Sequence, residues 1–153
     1  MNEPMRLLQA EIRDDLQTLA AAYQKLQHLN QRPLDQETAI LIAYHLHVIY
    51  GLFENLFTRI AANFGNHIEH STQWHTLLLK RMTLDVTGIR PPVISQEMFG
   101  YLDELRRFRH LFRNAYVLHF DLDRLRLVLR DAWQLQQIYQ VELNAFLDFL
   151  DSL

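Results

Sequence analysis

Apolar residues recur at spacings of three and four from Met5 to Asn30, at Leu7, Leu8, Ile12, Leu16, Leu19, Tyr23 and Leu26. That period predicts a long first helix. Gln31-Arg32-Pro33 closes it, because proline cannot continue a helix and restricts the residue before it. Asp35 is the expected N-cap of a second helix running to about Gly65, with Thr38 where a capping box would place glutamate. From Thr38 to Thr58 the one formally charged residue is Glu54. The stretch is about long enough to cross a membrane. However, His45, His47, Glu54 and Asn55 interrupt it and no basic loop flanks it. A membrane span is therefore rejected, and the pattern predicts the central helix of a bundle, covered by neighbours and by a second subunit.

Asn66 to Ser71 reads as a polar turn and Thr72 to Met82 as a short helix carrying Trp74, His75 and Leu77-Leu78-Leu79. Gly88 and Pro91-Pro92 make Leu84 to Ile94 irregular. Ser95 is the expected N-cap of a third long helix ending near Phe120, with Met98 at the box position. Asp121-Leu122-Asp123 opens a fourth, to about Leu150, through Leu125, Leu129, Trp133, Ile138, Val141, Leu143, Phe146 and Phe149. The expected architecture is all-α, an up-down-up-down four-helix bundle with a short extra helix between helices 2 and 3. One domain is expected over residues 1–153.

Composition narrows the chemistry. Apolar residues make up 49% of the chain, with only 4 Gly and 4 Pro, which suits helices. The formal net charge of −3 argues against a protein that coats nucleic acid, so any anion site is a local patch. Cysteine is absent, which excludes disulfides, zinc–thiolate sites and thiol catalysis. The opening MNEPMRLLQAEIRDD carries acids and lacks an apolar run, so no secretory signal is expected and a cytoplasmic location is.

The strongest chemical signal is LRRFRHLFRNAYVLHFD, residues 105–121. With Arg109 at zero on a helical wheel, Tyr116 falls at about −20°, Arg113 at about +40° and Arg106 near +60°. His110 and Asn114 follow at about +100° and +140°. Leu105, Phe108, Leu111, Phe112 and Ala115 occupy the opposite arc. Clustered arginines repel one another along a helix. A face optimised for solvation alone would mix in acids or lysines, whereas guanidinium groups suit bidentate recognition of phosphate.

This stretch resembles the HEPN superfamily and, within it, the HepT-like proteins. Their motif is an arginine, four to six residues, a histidine, any residue and a tyrosine. Arg109 aligns as the motif arginine, His110 as the polar residue that often follows it, and Tyr116 as the tyrosine. Asn114 stands where the motif has histidine. Tyr50-x3-Glu54-Asn55, Trp74-His75 and Arg90-Pro91 extend the likeness across most of the chain. The resemblance implies metal-independent RNA cleavage with no cofactor, in a homodimer that brings two motifs into one cleft. The 2′-hydroxyl of RNA attacks the adjacent phosphate. It also implies a nucleotidyltransferase antitoxin as partner, which modifies the motif tyrosine, making Tyr116 a candidate modification site.

Asn114 alters that expectation, because a carboxamide holds a phosphate or a base edge but is no general acid or base. In the catalytic version Arg109 and Arg113 hold the scissile phosphate. His110, one turn before Asn114, then moves the proton. Asn114 and Tyr116 orient substrate, with Arg106 and Glu54 in the binding surface. His119, the other histidine nearby, falls on the apolar arc. The alternative is a non-catalytic module that binds RNA, a nucleotide or a nucleotidyltransferase. Bland readings stand beside these. The arginines are offered partners by Glu54, Asp103 and Asp131. Glu54, alone in an apolar helix, needs an arginine or histidine partner. His45 and His47 point about 200° apart and are expected in the core or an interface. His67, His70 and His75 are read as polar loop residues rather than metal ligands.

Overall fold

The structure, a computed structural model, describes residues 1–64, 68, 73–114 and 119–153, side chains at 110, 111, 113 and 114 excepted. Among these residues the chain forms α1 (Glu3–Leu29), α2 (Gln36–Asn63), α3 (Trp74–Met82), α4 (Gln96–Asn114) and α5 (Leu122–Asp151). This is an all-helical bundle with the expected short extra helix between the second and third long ones. The only β-pairing among the described residues is an isolated bridge between Val86 and Arg90.

The caps explain the boundaries. Asn2 accepts from the Met5 amide at 3.0 Å, Asp35 from Thr38 at 2.8 Å and Ser95 Oγ from Met98 at 3.1 Å. Asp121 accepts from Asp123 and Arg124. Each satisfies an amide that has no partner within its own helix. Glu142 on α5 also grips Ser95, taking its amide at 2.6 Å and its hydroxyl at 2.7 Å, which ties the start of α4 to α5.

α2 contacts each of the other four helices. Its centrality accounts for its composition: Ile42, Leu46, Ile49, Phe53, Leu56, Phe57 and Ile60 are all buried. α2 is long and apolar enough to cross a membrane by length and composition, but half of its most apolar window is buried inside the bundle. From α4, Met98, Leu102, Leu105 and Phe108 enter the same core, Leu105 and Phe108 from the arc that the wheel made apolar. Tyr23 of α1 stacks on Tyr139 of α5 at 5.6 Å and donates to the Ala132 carbonyl at 2.9 Å.

The segment between α3 and α4 turns at Gly88, whose φ of 77° is the left-handed conformation glycine adopts without strain. Arg90 is buried behind it. Its guanidinium donates to the carbonyls of Arg81 at 3.0 Å, Leu84 at 3.1 Å and Pro91 at 3.1 Å. The Met82 carbonyl takes the amides of Val93 at 2.8 Å and Ile94 at 3.2 Å. Together these contacts fix the end of α3 against the approach to α4.

α4 is described to Asn114, and His119 and Phe120 lie outside helix, consistent with an end near Phe120. The Gln36 carboxamide brackets the Phe120 peptide. Nε2 donates to the Phe120 carbonyl at 2.8 Å and Oε1 accepts its amide at 2.9 Å. The Phe120 ring packs parallel to Phe112, 6.2 Å away and 9° off. These bonds tie Phe120, just before α5, to the start of α2.

Candidate functional site

α4 crosses α2 so that its arginine stretch meets His47 and Tyr50. The His47 ring lies 5.6 Å from Phe112. One turn further along α2, the Arg109 guanidinium sits over the Tyr50 ring, 5.8 Å from its centroid. Arg109 is thus on the margin of the α2 contact rather than free in solvent. Its Nε is buried and has no hydrogen-bond partner among the described residues. A cation over an aromatic face is attracted by the ring quadrupole, but that contact does not satisfy the N–H.

The other arginines behave differently. Arg106 Nε donates to Asp103 at 2.8 Å, and Arg107 reaches Asp103 at 3.2 Å and Glu104 at 3.5 Å. Arg124 of α5 reaches Glu104 at 3.3 Å. Acid pairing therefore accounts for Arg106 and Arg107, with Asp103 as one of the expected partners. It does not account for Arg109. Asp131 pairs with none of these arginines among the described residues. The side chains of His110, Arg113 and Asn114, and all of Tyr116, lie outside the described residues, as do His67 and His70.

Glu54 is buried at 6% exposure, and its need for a partner is met by a histidine. His75 Nδ1 lies 2.6 Å from Glu54 Oε2. This corrects the reading of His75 as a loop residue: it occupies the first turn of α3, with its ring 4.0 Å from that of Trp74. The sequence signal was present, since a lone acid on an apolar helix calls for a counterpart. Choosing His75 required knowing that α3 docks beside Glu54.

Tyr50 joins the two halves. Burial, then the charge of Glu54, pushes its phenol above the usual range, while Arg106 and Arg109 pull the other way. Its buried hydroxyl has no hydrogen-bond partner of good geometry. Arg109, Tyr50, Glu54 and His75 thus form a continuous row across α4, α2 and α3. His45 lies apart, near α1, where burial and then Lys25 lower its proton affinity. His119 is exposed outside any helix, so its position on the wheel does not apply. Among the described residues no group of three or more His, Asp or Glu is placed to hold a metal ion.

A family model described as HepT-like protein matches residues 41–150, which takes in most of α2, all of α3 and α4, and all but the last residue of α5. No match was found among curated proteins or among solved structures.

Proposed function

The chain belongs to the HepT-like protein family, and from that membership and its Arg109 geometry we propose that it is a toxin-type, metal-independent endoribonuclease. The observation that carries this reading is Arg109, whose buried Nε has no partner and whose guanidinium is held by Tyr50 instead of an acid. A preorganised, unpaired guanidinium is suited to the charge that develops on phosphate in the transition state. Arg113 supplies a second cation, and Asn114 and Tyr116 orient the substrate. His110, one turn before Asn114, is the proton carrier in place of the motif histidine. Arg106 and Glu54 border the binding surface, each already engaged with a neighbour.

The active form is a homodimer of single-domain chains, each an up-down-up-down bundle over residues 1–153, acting in the cytoplasm. α2 supports the dimer. Leu41 and Tyr44 are 39% and 54% exposed, and Val48, Gly51 and Asn55 continue their line along the helix. A Cβ at Gly51 would meet nothing within 4 Å in one chain. A mid-helix glycine costs about 1 kcal/mol against alanine, and close approach by a second copy gives it a reason. The partner is a nucleotidyltransferase antitoxin, with Tyr116 as the residue it modifies.

Asn114 favours the second reading, a catalytically degenerate relative that binds RNA, a nucleotide or a nucleotidyltransferase. Cleavage of a labelled structured RNA in EDTA separates the two, with Arg109→Ala controlling for contaminating nuclease. The enzyme reading expects Arg109→Ala to lose about 100-fold or more. Equal cleavage by both proteins would refute it, and folded protein that binds RNA without cutting it would establish the degenerate form.

A further inference from the structure

Asn114 leaves the motif without its histidine, and the structure supplies an imidazole at the other end of the same row. We infer that the Glu54–His75 pair is a proton-transfer dyad of the candidate site, with His75 Nε2 as the working atom. The inference rests on the ribonuclease reading and adds a residue that the arginine motif does not contain.

The geometry has three parts. First, an ionised carboxylate only accepts hydrogen bonds, so the 2.6 Å contact puts the hydrogen on His75 Nδ1. In the neutral ring Nε2 then keeps its lone pair. A carboxylate that fixes tautomer and orientation, and stabilises the imidazolium when it forms, is the arrangement by which a histidine becomes a general base. Second, the two members differ in exposure. The Glu54 side chain is 8% exposed and that of His75 26%. The acid is nearly enclosed, while part of the imidazole meets solvent, and the ring makes no other hydrogen bond among the described residues. Third, the dyad shares α2 with the residue that holds Arg109. Tyr50 carries the Arg109 guanidinium on its ring, and Glu54 stands one turn along α2, its backbone about 6 Å further on the helix axis.

The step balances. His75 Nε2 takes the proton of the 2′-hydroxyl as O2′ bonds to phosphorus. The P–O5′ bond breaks, and the electron pair leaves on O5′, which takes a proton from the imidazolium of His110. The products are a 2′,3′-cyclic phosphate and a 5′-hydroxyl. His75 then returns its proton to solvent and His110 regains one, so no oxidant, metal or other co-reactant is needed. The charge of the pentavalent phosphorus centre falls to Arg109.

The test compares wild type, His75→Gln, Glu54→Gln, His110→Ala and Arg109→Ala in the EDTA assay across pH, with circular dichroism and gel filtration confirming fold and assembly. His75→Gln is expected to lose at least about 100-fold, to keep its RNA affinity, and to lose the limb of the pH–rate profile that reports the base. Wild-type activity and an unchanged profile in folded His75→Gln would overturn the dyad while leaving the ribonuclease intact. Cleavage indifferent to Arg109→Ala would instead sink the ribonuclease reading on which the dyad depends. A readout independent of activity is the ¹⁵N spectrum of the His75 ring in the folded protein. The neutral ring is expected as the Nδ1–H tautomer, moving toward the other tautomer in Glu54→Gln. An Nε2–H tautomer in wild type would overturn the dyad, whether or not the mutants fold.

Discussion

Arg90 belongs to the Arg90-Pro91 pair that helps mark the family likeness, and a buried arginine invites assignment to anion binding. The structure predicts another outcome for its removal. In Arg90→Met the carbonyls of Arg81, Leu84 and Pro91 each lose a donor. Bonds from a charged donor contribute about 1.5 kcal/mol or more each. Burial opposes them, since it lowers the proton affinity of the guanidinium and leaves Nε without a partner. The methionine stem retains much of the packing. The balance is a loss of about 2–3 kcal/mol, a fall in Tm of about 5–10 °C for a chain of this size. Urea and thermal melts read it directly, alongside RNA binding. Arg90→Lys is expected to recover only part, because an ammonium on a flexible stem does not reproduce a planar fork directed at three carbonyls. A loss under about 0.5 kcal/mol, or weakened RNA affinity at unchanged stability, would refute the clamp and make Arg90 an anion ligand instead.

Three further outcomes follow from the geometry. Tyr23→Phe deletes the bond to the Ala132 carbonyl and keeps the stack on Tyr139, so a loss near 1 kcal/mol is expected; an unchanged urea midpoint would count against it. The Asp131 carboxyl is held above its ordinary 3.8 by burial first and Glu104 second, with Arg130 and Arg124 opposing. A raised folded-state value means that its contribution to stability is present below about 3.8 and is lost as pH rises through the raised value. Asp131→Asn should therefore melt slightly higher than wild type at pH 7, with the gap closing at more acid pH; a gap independent of pH would contradict this. Gly51→Ala should stabilise a lone chain by about 1 kcal/mol, since nothing obstructs the new methyl. Gly51→Leu should shift the protein toward monomer in analytical ultracentrifugation, and an unaltered dimer would move the interface off this line of α2.

The helices and most of their ends were legible because they depend on short-range chemistry. Pro33, Asp35, Ser95 and Asp121 act within a few residues of themselves, and α2 announces its central place by carrying one charge in twenty-one positions, 38 to 58. The tie between Gln36 and the Phe120 peptide was not legible, because the two lie 84 positions apart. Nothing in the local sequence before Phe120 says that its peptide will be claimed by a carboxamide at the start of α2. The same distinction divides the site. Helical period was enough to single out the arginine face, but not to separate its members. Asp103 and Glu104, one turn before Arg106 and Arg107, neutralise them within the helix, while Arg109 is set apart by Tyr50, which reaches it only through the crossing of α2 and α4. Glu54 presents the complementary case. Desolvation made a partner necessary from sequence alone, and the docking of α3, fixed by the Arg90 clamp and the Met82 carbonyl, made that partner His75. A structural anchor far from the arginine motif thus decides which imidazole pairs with Glu54, and loss of the clamp should disturb the Glu54–His75 contact before it disturbs Arg109 itself.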